Sequence, residues 1–429
     1  MLKASKFKNG LTLIYNYLDL KSTSFMVKVG VGSRNEKNDE WGTSHFIEHV
    51  LFKGTPKRTE LQIAEEFEAN GIEFNAYTSF QDTVFYFKSI NEKFLYGVDI
   101  ISDMFFNTIF DCEGFENERK VILNEYSLYN DKPSEKVKEI ANSAVCNGTN
   151  YEHDIIGTES SIKSITPAKL EKYYKEHYIA SNVIISYCGN LEFEKVVEVV
   201  EKYFNENFKT EGEISTVPEF NFNPIYFTKA QKESENSYVT IGFPAFLCED
   251  EYFKFIIMDK ILSGGMSSRF FDRIRNQLGL CYNIRGITND IDDFRYIYYT
   301  IIATKHEDVK KLISELFKLY EEIKLKGITI DELNKAKTQI KSELIFKSEG
   351  SMGNCRQNIY DYVTFKRIMP VEEQIKLIEK IEPSEINCLV NKIFDFQHAS
   401  LAIVEQKIDD DLQNYWNNEK EKFANREIK

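Results

Sequence analysis

The chain has 429 residues, and several features that would mark other protein classes are missing from it. It has no run of about 18 uncharged apolar residues, so no membrane span is predicted. Lysines come early, but no apolar stretch follows them, so no secretory signal is predicted. The seven cysteines (Cys112, Cys146, Cys188, Cys248, Cys281, Cys355, Cys388) are odd in number, and none forms a Cys-x-x-Cys pair. That predicts reduced thiols in a cytoplasmic protein rather than a disulfide framework. No Gly-Lys-Ser/Thr follows Gly264-Gly265, so this pair is not a phosphate loop. Basic charge is in deficit, 54 Lys+Arg against 68 Asp+Glu, for a net charge of −14. This argues against nucleic-acid binding and would suit a cationic peptide. Histidine is scarce, with six in the whole chain.

Apolar material is ample: 42% hydrophobic and 14% aromatic residues, enough for full cores. The length suggests two or three domains. The polar stretch from Asn205 to Pro224, with one glycine and two prolines, reads as a linker close to the midpoint. The halves on either side resemble each other at an offset of about 210–214 residues. Strand Phe25–Gly30 pairs with Tyr238–Phe243, and Val183–Tyr187 with Ser400–Val404. The helix ending at Gly54 pairs with the one ending near Gly264, and Phe115–Glu118 with Ile330–Glu332. The predicted fold class is α+β, as two homologous α+β domains over 1–210 and 220–429. Each would have a mixed or antiparallel sheet with flanking helices.

The chemistry concentrates in Gly42-Thr43-Ser44-His45-Phe46-Ile47-Glu48-His49-Val50-Leu51-Phe52-Lys53-Gly54. Thr43 or Ser44 could cap a helix here, and Gly54 could end it. His45 and His49, four apart, project from one helical face, with Glu48 beside them; Phe46, Val50 and Leu51 supply the buried side. Two neutral imidazoles at this spacing suit a tetrahedral Zn²⁺, which needs a third protein ligand and one open position. Glu48 is the obvious base for a water acidified by such a metal. Glu118 and Glu125, seven apart, share one helical stripe with Val121, Ile122 and Leu128. One could coordinate the metal while the other orients a liganding histidine.

The His45-Phe46-Ile47-Glu48-His49 motif resembles that of the pitrilysin, insulysin and mitochondrial processing peptidase family of inverted-motif zinc endopeptidases. Glu125 lies 76 positions beyond His49, with Glu118 seven earlier, as in that family. The second half adds Leu262-Ser263-Gly264-Gly265-Met266-Ser267-Ser268-Arg269-Phe270 and then Arg275-Asn276-Gln277-Leu278-Gly279-Leu280-Cys281-Tyr282, similar to the family's second signature. The resemblance implies one zinc per chain on His45, His49 and Glu125, with Glu48 as general base and Glu118 holding a liganding histidine. Arg275 and Tyr282 would come from the second domain to stabilise the oxyanion and grip the substrate backbone. Asn75, Ala76 and Thr78 would lie on an edge strand to which a peptide substrate adds. The chain length resembles the short subfamily, in which one chain is half of a clam-shell and a homodimer, or a pair with a related subunit, encloses a chamber.

In the second half Glu332 matches Glu118, but Gln339 matches Glu125 and the histidine motif is absent, so one metal site is predicted. The segment Glu152–Ile156 looks shorter than the family's usual loop. The alternative reading is a non-catalytic or partner-dependent subunit of the same fold; the intact His45, Glu48, His49 and Glu125 speak against it. A two-histidine, one-carboxylate iron oxygenase would leave Glu48 and the Arg275/Tyr282 signature without a role.

Overall fold

The computed structural model describes residues 2–110, 113–208, 215–407 and 409–427, with side chains to residue 423. Cys112 and residues 209–214 of the predicted linker lie outside the described residues. Among the described residues, no helix is long and apolar enough to cross a membrane.

Among the described residues, eleven strands build two sheets, and the duplication is visible in their order. The first sheet contains β1 (Leu2–Lys6), β2 (Thr12–Tyr17), β3 (Ser22–Val29), β4 (Glu73–Thr78), β5 (Thr83–Ile90) and β6 (Val183–Gly189), arranged β1-β2-β6-β3-β5-β4. The second contains β7 (Phe227–Gln231), β8 (Ser237–Phe246), β9 (Ile284–Asp292), β10 (Arg295–Thr304) and β11 (Ser400–Glu405), arranged β7-β11-β8-β10-β9. With β1 set aside, the orders coincide strand for strand. The pairing senses coincide too: β2–β6 and β7–β11 are parallel, and the rest antiparallel. Each sheet is therefore mixed, and the two α+β units share one topology.

The chain divides into two compact units that exchange segments. The first comprises Met1–Tyr126, His153–Glu219 and Ile345–Met369; the second comprises Ser127–Glu152, Phe220–Leu344 and Pro370–Lys429. In the first unit, Phe25, Val27 and Val29 of β3 and Val183, Ile185 and Tyr187 of β6 face a core shared with Phe46, Ile47 and Val50. Strand alternation turns Met26 and Cys188 to the other face, where Ile14 and Val84 join them. Helix Ser351–Phe365 covers that face through Cys355 and Ile359. Ser351 and Ser24 hydroxyls lie 2.8 Å apart, and Cys355 Sγ donates to Ser24 O and Ser186 O at 3.4 and 3.5 Å. In the second unit the corresponding helix, Pro133–Val145, packs on β8 and β11. Gly242 of β8 permits that approach, since a Cβ there would meet Val145 at 3.0 Å. The central strands, β3 and β6 in the first sheet and β8 and β11 in the second, are buried along nearly their whole length.

Candidate metal centre and its surroundings

The histidine motif forms helix Thr43–Leu51. Phe46, Ile47 and Val50 are fully buried and fix its inner face. His45, Glu48 and His49 lie on a half-buried face. The helix start differs from the sequence expectation. Neither Thr43 nor Ser44 caps it; Gly42 does, at φ 88°, with no side-chain cap of its own. The cap comes from Glu36 in the preceding loop, whose carboxyl oxygens accept the Gly42 and Ser44 N–H groups at 2.8 and 2.7 Å. Burial pushes Glu36 up to about 8, against the pull of those two backbone donors. A Cβ at residue 42 would meet Ile156 O at 2.5 Å, so glycine is needed both for its backbone angle and for space.

His45 Nε2 and His49 Nε2 stand 3.9 and 3.6 Å from Glu125 Oε2. One donor atom from each of the three lies within 4.8 Å of the others. Zinc–ligand bonds of about 2.0–2.1 Å at tetrahedral angles place ligand atoms about 3.4 Å apart. The two separations from Glu125 are a few tenths of an ångström wider, all three lie within 4.8 Å, and two imidazoles with a carboxylate leave the fourth position open. The residues therefore fit a zinc ion. Burial, then the neighbouring His49, lowers His45 to about 3, so its ring is neutral and its lone pair available.

Helix Phe115–Asp131 brings both glutamates to this face. Glu118 Oε1 lies 2.6 Å from His49 Nδ1, which leaves Nε2 directed at Glu125. The other Glu118 oxygen meets Lys53 Nζ at 2.5 Å, and Lys53 also reaches Glu60 at 2.6 Å. Burial raises Glu118, but the hydrogen bonds from His49 and Lys53 outweigh it and hold the carboxyl below its ordinary value. Sequence reasoning missed Lys53 and Glu36. Lys53 sits four residues after His49, a spacing that could have pointed to it; Glu36 lies in an irregular loop and carries no periodic signal.

Glu48 Oε2 accepts a 2.5 Å bond from Thr78 Oγ1. Burial raises Glu48, opposed by the Thr78 hydrogen bond and by His49. Thr78 ends β4, the edge strand of its sheet. Asn75 is exposed, and its Oδ1 accepts the Ala76 N–H at 2.8 Å. Side chains of Phe74, Ala76 and Thr78 turn inward, and those of Glu73, Asn75 and Tyr77 outward.

In the second unit the guanidinium of Arg275 lies over Phe271 and Tyr282, 4.4 and 5.1 Å from the ring centroids, and Tyr282 is 83% exposed. Glu332, the counterpart of Glu118, forms a two-pronged pair with Arg269 at 2.6 and 2.7 Å. Although burial raises it, the Arg269 bonds bring Glu332 down to about 2. An arginine thus occupies the carboxylate that, in the first unit, orients a histidine. His153 stacks on Trp41 at 5.0 Å, the His177 ring is tilted against Tyr173 at 4.3 Å, and His306 and His398 bond to Ser237 and Asp395.

Residues 15–159 match the family model for insulinase (peptidase family M16), and residues 164–340 match the model for the peptidase M16 inactive domain. An uncharacterized zinc protease from Rickettsia felis is 31% identical over 410 residues, spanning 93% of this chain and 96% of that protein. A protease from Helicobacter pylori has the same fold, with TM-score 0.87, 20% identity, and coverage of 94% of this chain and 99% of that one. The periplasmic protease PqqL from Escherichia coli aligns at TM-score 0.80 and 15% identity, over 99% of this chain but 50% of its own. With two M16 family models matched in succession along the chain and whole-length relatives named zinc proteases, this chain belongs to the insulinase family, peptidase family M16.

Proposed function

We propose that the chain is a zinc-dependent endopeptidase acting on unfolded or leader-like peptides, with one zinc held by His45, His49 and Glu125. The observation that carries this reading is the gathering of those three donor groups within 4.8 Å on the face where Glu48 also lies. When bound, zinc supplies a Lewis acid and an acidified water. Glu48, anchored through Oε2, takes the nucleophile's proton on Oε1 and returns it to the departing amine. Glu118 fixes the His49 ring, and Lys53 keeps Glu118 ionised. Arg275 and Tyr282 are assigned to the oxyanion and the substrate backbone; the exposed phenol stacked beside the guanidinium supports a pair able to donate outward.

The free edge of β4 supports peptide binding by strand addition at Asn75, Ala76 and Thr78, a mode that tolerates many sequences. The match to half of a chain about twice as long supports a homodimeric chamber, or one completed by a related subunit. The scattered free thiols favour the cytoplasm.

Zinc content and cleavage of quenched-fluorescent peptides test the reading, with light scattering for the oligomeric state. About one zinc per chain is expected. Glu48→Gln should retain zinc and lose at least about 10²-fold in kcat, the range typical of a general base. Cleavage by Glu48→Gln at the wild-type rate would overturn the assignment. Zinc without any cleavage by the wild type would favour the partner-dependent subunit.

A further inference from the structure

Strand β4 ends at Thr78, and the turn that follows is tied on every side. Ser79 N–H donates to Asp82 O at 2.8 Å, Ser79 Oγ to Asp82 Oδ1 at 2.7 Å, and Ser33 N–H to Ser79 O at 3.2 Å. Asp82 in turn pairs with the buried Lys28 of β3. Thr78 therefore presents its hydroxyl from a rigid frame. The terminal torsion of a glutamate side chain is broad and nearly two-fold, so packing alone leaves the carboxylate plane of Glu48 loosely set. The 2.5 Å bond from Thr78 Oγ1 to Glu48 Oε2 removes that freedom.

We propose that Thr78 is a positioning residue for the reaction. Its hydroxyl sets the plane of the Glu48 carboxylate, so that Oε1 alone faces the reacting atoms. Because Thr78 also terminates the edge strand to which a peptide would add, base and substrate share one frame. The inference rests on the peptidase reading and gives this side chain a task separate from strand pairing, which uses backbone groups.

Thr78→Val keeps the branched shape and removes the hydroxyl; Thr78→Ser keeps the hydroxyl. Thr78→Val should retain wild-type zinc content and melting temperature while kcat falls about 10- to 100-fold, the scale of a misplaced catalytic group. KM should stay within about 2-fold of wild type, and Thr78→Ser should recover kcat to within about 3-fold. A readout apart from turnover uses the Glu48→Gln background: adding Thr78→Val there should leave fluorescent-peptide affinity, measured by anisotropy, unchanged. If Thr78→Val cleaves within about 2-fold of wild type while Glu48→Gln is inactive, the positioning role is wrong and the peptidase reading stands. Weakened peptide affinity at unchanged kcat would likewise overturn it, placing Thr78 in binding. A wild type that cleaves no peptide removes both.

Discussion

At the scale of single residues, the motif histidines are held by groups outside the proposed zinc ligand set. Glu36 closes the N-terminus of their helix from a loop six residues before Gly42, with both oxygens occupied. Glu36→Gln keeps the shape but turns an N–H₂ group toward one of two buried backbone donors. The cost of a buried donor left unpaired is about 1–3 kcal/mol. At about 2–4 °C per kcal/mol for a domain of this size, calorimetry should show a melting temperature several degrees lower. An unchanged melting curve would mean the cap contributes nothing. His45 gives a second residue-scale prediction. Its folded-state value of about 3 lies below the ordinary 6.5 because burial disfavours the charged ring. The unfolded chain therefore binds a proton that the folded chain refuses. This contribution is complete above about pH 6.5 and is lost as pH falls from there toward 3. Chelator-treated protein should lose stability across that window, and His45→Asn should flatten this limb of the curve. An identical acid limb in both proteins would refute the burial argument.

At the scale of elements, what could be read from sequence was what repeats with a period. The alternation in Phe25–Gly30 and Val183–Tyr187 became β3 and β6, and their partners in the second half became β8 and β11, in equivalent places of an equivalent sheet. The four-residue spacing of His45 and His49 became one helical face, and the seven-residue spacing of Glu118 and Glu125 became another. Contacts set by three-dimensional packing left no such mark. The helix cap was assigned to Thr43 or Ser44 because capping is a local rule, yet tertiary structure delivered Glu36 instead. Thr78 was read through its strand, and its hydroxyl found Glu48 thirty residues away. The Arg269–Glu332 pair is a similar case: Gln339 in place of Glu125 was visible in sequence, but not the guanidinium that takes the remaining carboxylate.

At the scale of the whole molecule, the division suggested by the linker and the compact units differ in one consequential respect. A cut near residue 210 follows the repeat, but the first unit also includes Ile345–Met369 and the second includes Ser127–Glu152. Helix Ser351–Phe365 covers Ile14, Met26 and Val84, each at most 1% exposed. Burial of three such side chains is worth roughly 1.5–3 kcal/mol each. The sum, on the order of 5–9 kcal/mol, rivals the net stability of a typical domain, about 5–15 kcal/mol. A fragment of residues 1–210 therefore lacks the means to bury one face of its sheet, even though it contains His45, Glu48, His49, Glu118 and Glu125. Expressed alone, it should be aggregated or molten, bind a dye specific for exposed apolar surface, and fail to retain stoichiometric zinc. Co-expressed with residues 220–429, which carry the missing helix, it should be recovered as a folded complex that holds zinc. A soluble 1–210 fragment with a cooperative melt would show that the exchanged helix is dispensable, and that the repeat boundary is also the folding boundary.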